Sequence, residues 1–148
     1  MSRAALMGRD FYRVWRTIGT RWADNDAYGH VNNVVYYGWF DTAVNAWLID
    51  AGLLDVGGGD PIGLVVDTGC RYARPLAFPQ QVEVGLALDE MGSSSVRYRL
   101  GVFGHGENGA AAEGHFVHVY VDRESRRPAP LPAAWRAKLE TIRSTLSP

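Results

Sequence analysis

Five stretches of the chain have the pattern of β-strands. Apolar and polar residues alternate from Val82 to Leu88 and from Val96 to Val102, which is the period of two that a half-buried strand requires. Residues 11–21 are rich in aromatic and β-branched side chains, and residues 63–74 form a similar run that stops at a proline. Residues 112–122 form the last stretch, which is also long. We therefore predict five strands, separated by polar or glycine-rich turns.

One apolar stretch has the period of a helix instead. We predict that this helix runs from about Asn33 to Ala51, with Asn32 or Asn33 capping its start and Gly52 ending it. Apolar side chains cover nearly its whole circumference, which is typical of a helix enclosed by other structure. Residues 133–145 have a weaker amphipathic pattern and predict a short closing helix.

The order of these elements is one strand, one apolar helix and then four strands. A single antiparallel sheet wrapped around the long helix satisfies that order, and it is an α+β fold. The length of 148 residues predicts one domain over residues 1–148. Because such a sheet would leave apolar surface exposed, we expect a homodimer or homotetramer.

Composition excludes several classes of protein. The apolar fraction of 47% is enough for a packed core, and the net charge of -1 with scattered basic residues argues against nucleic acid as a partner. Cys70 is the only cysteine, so an intrachain disulfide is excluded and a cytoplasmic location is expected. The apolar run of residues 34–49 is interrupted by polar residues and is too short to predict a membrane span.

The most polar chemistry stands directly before the apolar helix, in residues 21–33. The first amides of a helix are unpaired donors that can polarise a carbonyl group, and a carboxylate held nearby can attack that carbonyl or activate water. Gly29 would let the chain fold Asp26 back toward the helix start, which predicts an acyl-transfer site. The alternative interpretation is structural, since Asp24, Asp26, Asn32 and Asn33 are all residue types that cap turns and helices. Similarly, His30 is either a base or a packing histidine.

The run D-N-D-A-Y-G-H-V-N-N-x-x-Y-Y-x-W-F-D-T-A, residues 24–43, resembles the hotdog-fold acyl-CoA thioesterases of the 4-hydroxybenzoyl-CoA thioesterase group. The resemblance implies an antiparallel five-stranded sheet around one long central helix, and dimers with the active site at the subunit interface. It implies that Asp26 is the catalytic carboxylate and that the polarising amide lies at or near Asn33. Gly29 and Tyr36 match further motif positions, and Asp24 matches a loop-supporting aspartate. His30 and Asn32 are also similar to residues with catalytic roles in plant-type acyl-carrier-protein thioesterases.

The resemblance implies acyl-CoA as substrate, so coenzyme A is part of the substrate and no cofactor is expected. Arginines are suited to its phosphates, and we predict substrate binding by residues with phosphate-binding or hydroxyl side chains: Arg71, Arg74, Arg97 and Arg99, with Ser94 and Ser95. We also predict that Asn32 contacts the substrate. A metal site is not expected, because His115 and His118 would point to opposite faces of a strand. Two other functions stay open: a hotdog dehydratase acting on acyl thioesters, and a non-catalytic dimer that binds acyl-CoA.

Overall fold

The computed structural model describes residues 5–148. The described chain contains five strands and two α-helices, and its elements in chain order are β1 (Val14–Gly19), α1 (Val35–Asp50), β2 (Ile62–Tyr72), β3 (Gln81–Met91), β4 (Ser95–Gly104), β5 (Ala112–Val121) and α2 (Ala133–Glu140). The strands form one antiparallel sheet in the order β1-β3-β4-β5-β2. The predicted α+β hotdog fold is confirmed. The prediction of a single domain included residues 1–4, which lie outside the described residues.

The predicted strands are all present, and the largest boundary errors fall where turns begin. β1 is shorter than predicted, because single turns of 3-10 helix at Arg9–Phe11 and Trp22–Asp24 flank it. The helix α1 begins at Val35 rather than Asn33, so that start was wrong by two residues. Its end is as predicted: Gly52 adopts a positive φ of 77°, and the amides of Gly52 and Leu53 bond to the carbonyls of Ile49 and Leu48. This is the glycine-dependent pattern that satisfies the last carbonyls of a helix.

The helix α1 packs on one face of the sheet. Its buried residues recur every three or four positions and contact the inward side chains of the strands: Tyr36, Trp39, Phe40, Ala43, Val44 and Leu48. The prediction that the helix is enclosed all round was wrong for a single chain, because its opposite side, with Asp41, Asn45 and Ile49, is less buried and partly exposed. Among residues 5–148, no helix has the length and apolar character needed to cross a bilayer.

The other face of the sheet is partly covered by the segment before β1. The ring of Tyr12 lies against Gly85 and Gly101, two glycines that are paired across β3 and β4. A Cβ atom at Gly101 would lie 2.5 Å from the Tyr12 ring, so only glycine lets the ring approach the sheet this closely. Phe11, Tyr12, Ala87 and Phe103 form a second small apolar cluster there.

The strand β2 forms an uncovered edge of the sheet. It pairs with β5 on one side only, and Leu64, Val65 and Val66 in its first half are 39%, 48% and 59% exposed. An apolar edge strand with unpaired backbone groups is a surface on which another strand can pair.

Candidate active site

A short loop before α1 carries the predicted catalytic carboxylate. Its two ends are joined by a bridge between Asn25 and Val31, and the amide of Asp26 donates to the carbonyl of His30 at 2.7 Å. The loop is also fastened to the segment after β2, since the Val31 amide donates to the Leu76 carbonyl at 2.7 Å. These contacts hold the loop beside the end of β2.

The two carboxylates of the loop have different environments. Asp24 is 1% exposed and accepts hydrogen bonds from the backbone and guanidinium of Arg21 at 2.8–3.0 Å, so it supports the loop. Asp26 accepts bonds from the amides of Tyr28 and His30 through Oδ1 alone, at 2.8 and 3.3 Å. Its Oδ2 atom has no hydrogen-bond partner among residues 5–148. The structural and chemical interpretations of Asp26 are therefore compatible, because one oxygen orders the loop and the other stays available.

Gly29 is required by the shape of this loop. Its φ is +77°, a left-handed conformation that costs a residue with a Cβ atom about 1–2 kcal/mol. A Cβ atom at this position would meet nothing within 4 Å, so the constraint comes from the backbone and not from space.

The start of α1 is organised by Asn32. Its side-chain Oδ1 accepts a hydrogen bond from the Val34 amide at 3.1 Å, and its carbonyl accepts from Val35 at 3.0 Å. Asn32 thus caps the turn before the helix, and its side chain is occupied locally. The Asn33 amide has no hydrogen-bond acceptor within the described part of the chain. It is a free donor at the positive end of the helix dipole, as an oxyanion site requires.

These groups line one open cleft of about 360 Å³. The cleft contains Asp26, His30, Asn33, Tyr36 and Arg74, which the sequence had singled out, together with Val31, Tyr72, Ala73 and Pro75. Five predicted residues from the loop, the helix and the segment after β2 are thereby brought together. Arg74 also pairs with Glu107 at 3.2 Å, so it reaches the cleft edge from an anchored position.

Tyr36 and Tyr72 form the aromatic wall of the cleft. Their rings meet edge to face at 5.0 Å, and the Tyr72 hydroxyl donates to the Asn33 carbonyl at 2.8 Å. Burial, followed by the neighbouring Cys70, raises the pKa of Tyr36 to about 12, so its hydroxyl stays protonated at neutral pH. Tyr72 was not among the predicted site residues. The available signal was its place two residues before Arg74 in the same segment, at the end of β2.

The other predicted substrate-binding residues lie outside this cleft within one chain. Arg71 and Arg97 are on the outer face of the sheet, where they pair with Glu113 at 3.8 Å and Asp89 at 3.2 Å. Arg99 pairs there with Glu113 at 2.8 Å. Their strand positions turn them away from α1.

Ser94 lies in the turn before β4 and Ser95 is the first residue of that strand, at the opposite end of the sheet from the cleft. Ser95 is paired with Val119 in β5, whereas Tyr72 of the cleft is paired with Ala112 at the other end of that strand. These serines were predicted to bind substrate because of their hydroxyl groups alone, and the direction of the strands places them far from the cleft.

The two histidines of β5 point to opposite faces, as predicted. His115 contacts Asp67 on the outer face at 3.4 Å, whereas His118 is buried on the inner face. Among residues 5–148, no three histidine, cysteine, aspartate or glutamate side chains are grouped so that they could hold a metal ion.

The cleft combines a free carboxylate oxygen and a free helix-start amide. A carbonyl group placed between them would have its oxygen polarised by the amide and its carbon open to attack. This arrangement suits hydrolysis of an activated acyl group.

Comparison with known proteins agrees with this chemistry. The model of the thioesterase-like superfamily matches residues 20–139, a range that contains the whole loop and all of α1. No match is found among curated proteins.

Solved structures similar to the chain extend over nearly its whole length. The PA5185 protein from Pseudomonas aeruginosa strain PAO1 is 50% identical, with 95% of this chain and 98% of that one covered and a TM-score of 0.90. A thioesterase from Thermus thermophilus, solved with coenzyme A and Zn, is 31% identical over 89% of this chain and 95% of that one, with a TM-score of 0.75. The 1,4-dihydroxy-2-naphthoyl-CoA thioesterase Slr0204 from Synechocystis shares the fold, with 19% identity, 84% and 93% coverage and a TM-score of 0.77.

Proposed function

The chain belongs to the thioesterase-like superfamily, and we propose that it hydrolyses acyl-CoA thioesters to a free acid and coenzyme A. The observation that carries this proposal is that Asp26, with its unbonded Oδ2 atom, and Asn33, with its unbonded amide, line the same cleft. The coenzyme A bound to the Thermus thermophilus relative supports coenzyme A as the thiol component. In this reaction coenzyme A enters as part of the thioester substrate and is released as a product, so it is not a cofactor.

The thioester carbonyl would lie over the start of α1, with its oxygen accepting a hydrogen bond from the Asn33 amide. Asp26 Oδ2 then either attacks the carbonyl carbon, forming an anhydride that water hydrolyses, or removes a proton from an attacking water. In both routes the C–S bond breaks and the thiolate of coenzyme A departs. The amide stabilises the negative charge that develops on the carbonyl oxygen.

The other cleft residues take supporting roles in this proposal. Tyr36, with its pKa raised by burial, can donate a hydrogen bond but not act as a base at neutral pH. Gly29 shapes the loop, and Arg74 at the cleft edge supplies positive charge for a phosphate of coenzyme A. His30 is exposed in the cleft and can contact the departing thiol.

We also propose that two copies pair through β2. Its apolar, unpaired edge would be covered by antiparallel pairing with the same strand of a second copy, which makes one continuous sheet from the two five-stranded sheets. Such pairing brings the Ile62 end of one β2 beside the Tyr72 end of the other. The cleft, lined by Tyr72, would then lie at the subunit interface. Light scattering in solution should give at least twice the chain mass, and a monomer would contradict this pairing.

A dehydratase is the second candidate, because a histidine and a carboxylate, His30 and Asp26, line the same cleft. The deciding experiment assays one purified protein in two ways. Acyl-CoAs of graded chain length are tested for free thiol with a thiol-reactive dye, and enoyl-CoAs are tested for hydration. Thiol release supports the thioesterase, and hydration without thiol release supports the dehydratase. Tight acyl-CoA binding without turnover would identify a non-catalytic binding dimer.

A further inference from the structure

A second cavity lies at the far end of α1, away from Asp26. Residues 52–63 leave the helix and cross the inner face of the sheet, enclosing a space of about 210 Å³. Its wall is mixed in polarity. Leu48, Leu53, Leu54 and Trp135 are apolar, whereas Asn45, Asp55, Asp60, His118 and Tyr120 bring polar groups. An apolar cavity of about 150 Å³ holds benzene, so this space is large enough for a short alkyl chain or a single ring.

His118 is an unusual residue for such a wall. It is 4% exposed, its ring packs edge-on between Phe116 and Tyr120, and its Nδ1 atom has no hydrogen-bond partner among residues 5–148. Burial lowers its pKa to about 4, so the imidazole is neutral at physiological pH. A buried polar atom without a partner costs about 1–3 kcal/mol. The Nδ1 atom is fully enclosed, whereas Nε2 also has no hydrogen-bond partner among residues 5–148 and is not fully enclosed. Nε2 is therefore the ring nitrogen that a molecule in the cavity can contact.

Gly63 of β2 lies over the same two rings, those of His118 and Tyr120. A Cβ atom there would lie 3.1 Å from the Tyr120 ring and 3.3 Å from the His118 ring. The glycine thus lets the end of the edge strand pass directly over the two rings. The cavity is therefore bounded by the end of β2 that contains Ile62 and Gly63.

Within one chain this cavity is remote from the cleft. The helix α1 has 16 residues and rises about 1.5 Å per residue, which puts its two ends roughly 24 Å apart. In a dimer paired through β2 the situation is different, because the Ile62 end of one strand lies beside the Tyr72 end of the other. Ile62 lines the cavity and Tyr72 lines the cleft. The cavity of one copy then adjoins the cleft of the other.

We propose that this cavity receives the acyl group of the thioester bound at the second copy's Asp26, and that His118 selects acyl groups that carry a hydroxyl group. The proposal rests on the thioesterase function and deepens it. A neutral imidazole has one donor and one acceptor nitrogen, and a hydroxyl group both donates and accepts, so it satisfies either tautomer. A plain alkyl chain leaves the imidazole unpartnered, and an acyl group ending in a carboxylate would meet the like charges of Asp55 and Asp60.

The first experiment compares alkanoyl-CoAs with hydroxyalkanoyl-CoAs of equal length, with the hydroxyl at graded positions. The measured quantity is the ratio of kcat/KM for each matched pair, from thiol release. The wild-type ratio should favour one hydroxylated substrate by about tenfold or more, which corresponds to one hydrogen bond. In His118→Phe the preference should disappear, and in His118→Gln part of it should remain. The matched control is His115→Phe, three positions away on the outer face, and it should keep the wild-type ratio.

An equal ratio in wild type and His118→Phe overturns the proposal while leaving the thioesterase intact. Absence of thiol release from every acyl-CoA with wild type would instead overturn the proposed function itself.

The second experiment tests whether the cavity serves the other subunit. Asp26→Asn and His118→Phe chains with different tags are co-expressed, and dimers containing one of each are isolated. The working carboxylate then belongs to the His118→Phe chain, and the intact histidine belongs to its Asp26→Asn partner. If the cavity acts across the interface, these two residues share one site and the hydroxyl preference returns. If the cavity serves its own chain, the active site contains the phenylalanine and no preference is seen, which overturns the assignment across the interface.

Discussion

Asp24 and Asp26 stand two residues apart in one loop, yet Asp24 is buried beneath Arg21 and Asp26 keeps one carboxylate oxygen free at the edge of the cleft. The first is bound by the backbone amide and two guanidinium nitrogens of Arg21. The second is bound by two backbone amides through a single oxygen. In this loop Asp24 therefore has a structural role, and Asp26 is available for the chemical step.

Asp24→Asn should damage stability more than chemistry. The amide keeps one acceptor oxygen but turns its NH₂ group toward the Arg21 guanidinium, so bonds to a charged partner are lost. We expect the free energy of unfolding to fall by about 2 kcal/mol, as measured by denaturant unfolding. Turnover per folded molecule should fall far less than in Asp26→Asn. Equal loss of turnover in both variants would contradict the division of roles.

Gly29→Ala should strain the catalytic loop. The positive φ of this residue costs an alanine about 1–2 kcal/mol although the space around it is open. Gly29→Asn should be milder, because asparagine tolerates the left-handed region. Gly38→Ala is the matched control: this glycine lies inside α1 with nothing within 4 Å of an added Cβ, so alanine should stabilise the helix. Thermal unfolding of the three variants measures the order, and a Gly29→Ala protein as stable as wild type would contradict the requirement for glycine.

Because the Tyr12 ring lies against the sheet at Gly101, alanine should be tolerated differently at Gly101 and at Gly19. An alanine at position 101 would bring its Cβ to 2.5 Å from the ring and expel it, with an expected cost of about 1–3 kcal/mol. Gly19→Ala, where an added Cβ meets nothing within 4 Å, is the control and should change stability little. The buried Tyr12 hydroxyl has no hydrogen-bond partner among residues 5–148, so Tyr12→Phe should be neutral or stabilising. A large loss of stability in Tyr12→Phe would refute this view of the hydroxyl.

His118 should make stability depend on pH. Its pKa is lowered to about 4 in the folded protein by burial, so the unfolded chain takes up the proton first as the pH falls. The shift therefore leaves the free energy of unfolding unchanged above about pH 6.5 and lowers it as the pH falls toward about 4. The total loss amounts to about 3 kcal/mol. The difference in unfolding free energy between wild type and His118→Phe should therefore change by this amount as the pH falls from 6.5 to 4, with wild type losing stability relative to the variant. A difference that does not vary with pH would contradict the buried neutral state.

Local patterns were enough to predict most of the fold. The alternation at residues 82–88 and 96–102, and the glycine at position 52, identified elements that the structure contains. Errors occurred where a short turn competes with a longer element: Asn32 bonds to the Val34 amide, and the helix begins only at Val35. The segment before β1 was also missed as a cover for the sheet, since no short-range pattern links Tyr12 to Gly101.

The part of the site that the sequence could predict is the part that is local in the chain. Asp26, His30, Asn33 and Tyr36 lie within one loop and one helical turn, so their proximity follows from backbone geometry. Residues that are distant in the sequence were predicted to bind substrate from their residue type alone, and the structure brings only some of them to the cleft. Arg74 reaches the cleft, whereas Arg71 and Arg97 form ion pairs on the outer face of the sheet. The sequence analysis considered His118 only as a metal ligand, a role that it rejected, because burial and an unpartnered nitrogen are tertiary properties.

The most direct test of the central claim is the turnover of Asp26→Asn on the best acyl-CoA substrate. Asparagine keeps the Oδ1 acceptor for the amides of Tyr28 and His30, so the loop and the melting temperature should be retained. The charge needed for attack or for proton removal is lost, and kcat should fall by about a hundredfold or more. A folded Asp26→Asn protein that releases thiol at the wild-type rate would contradict the account.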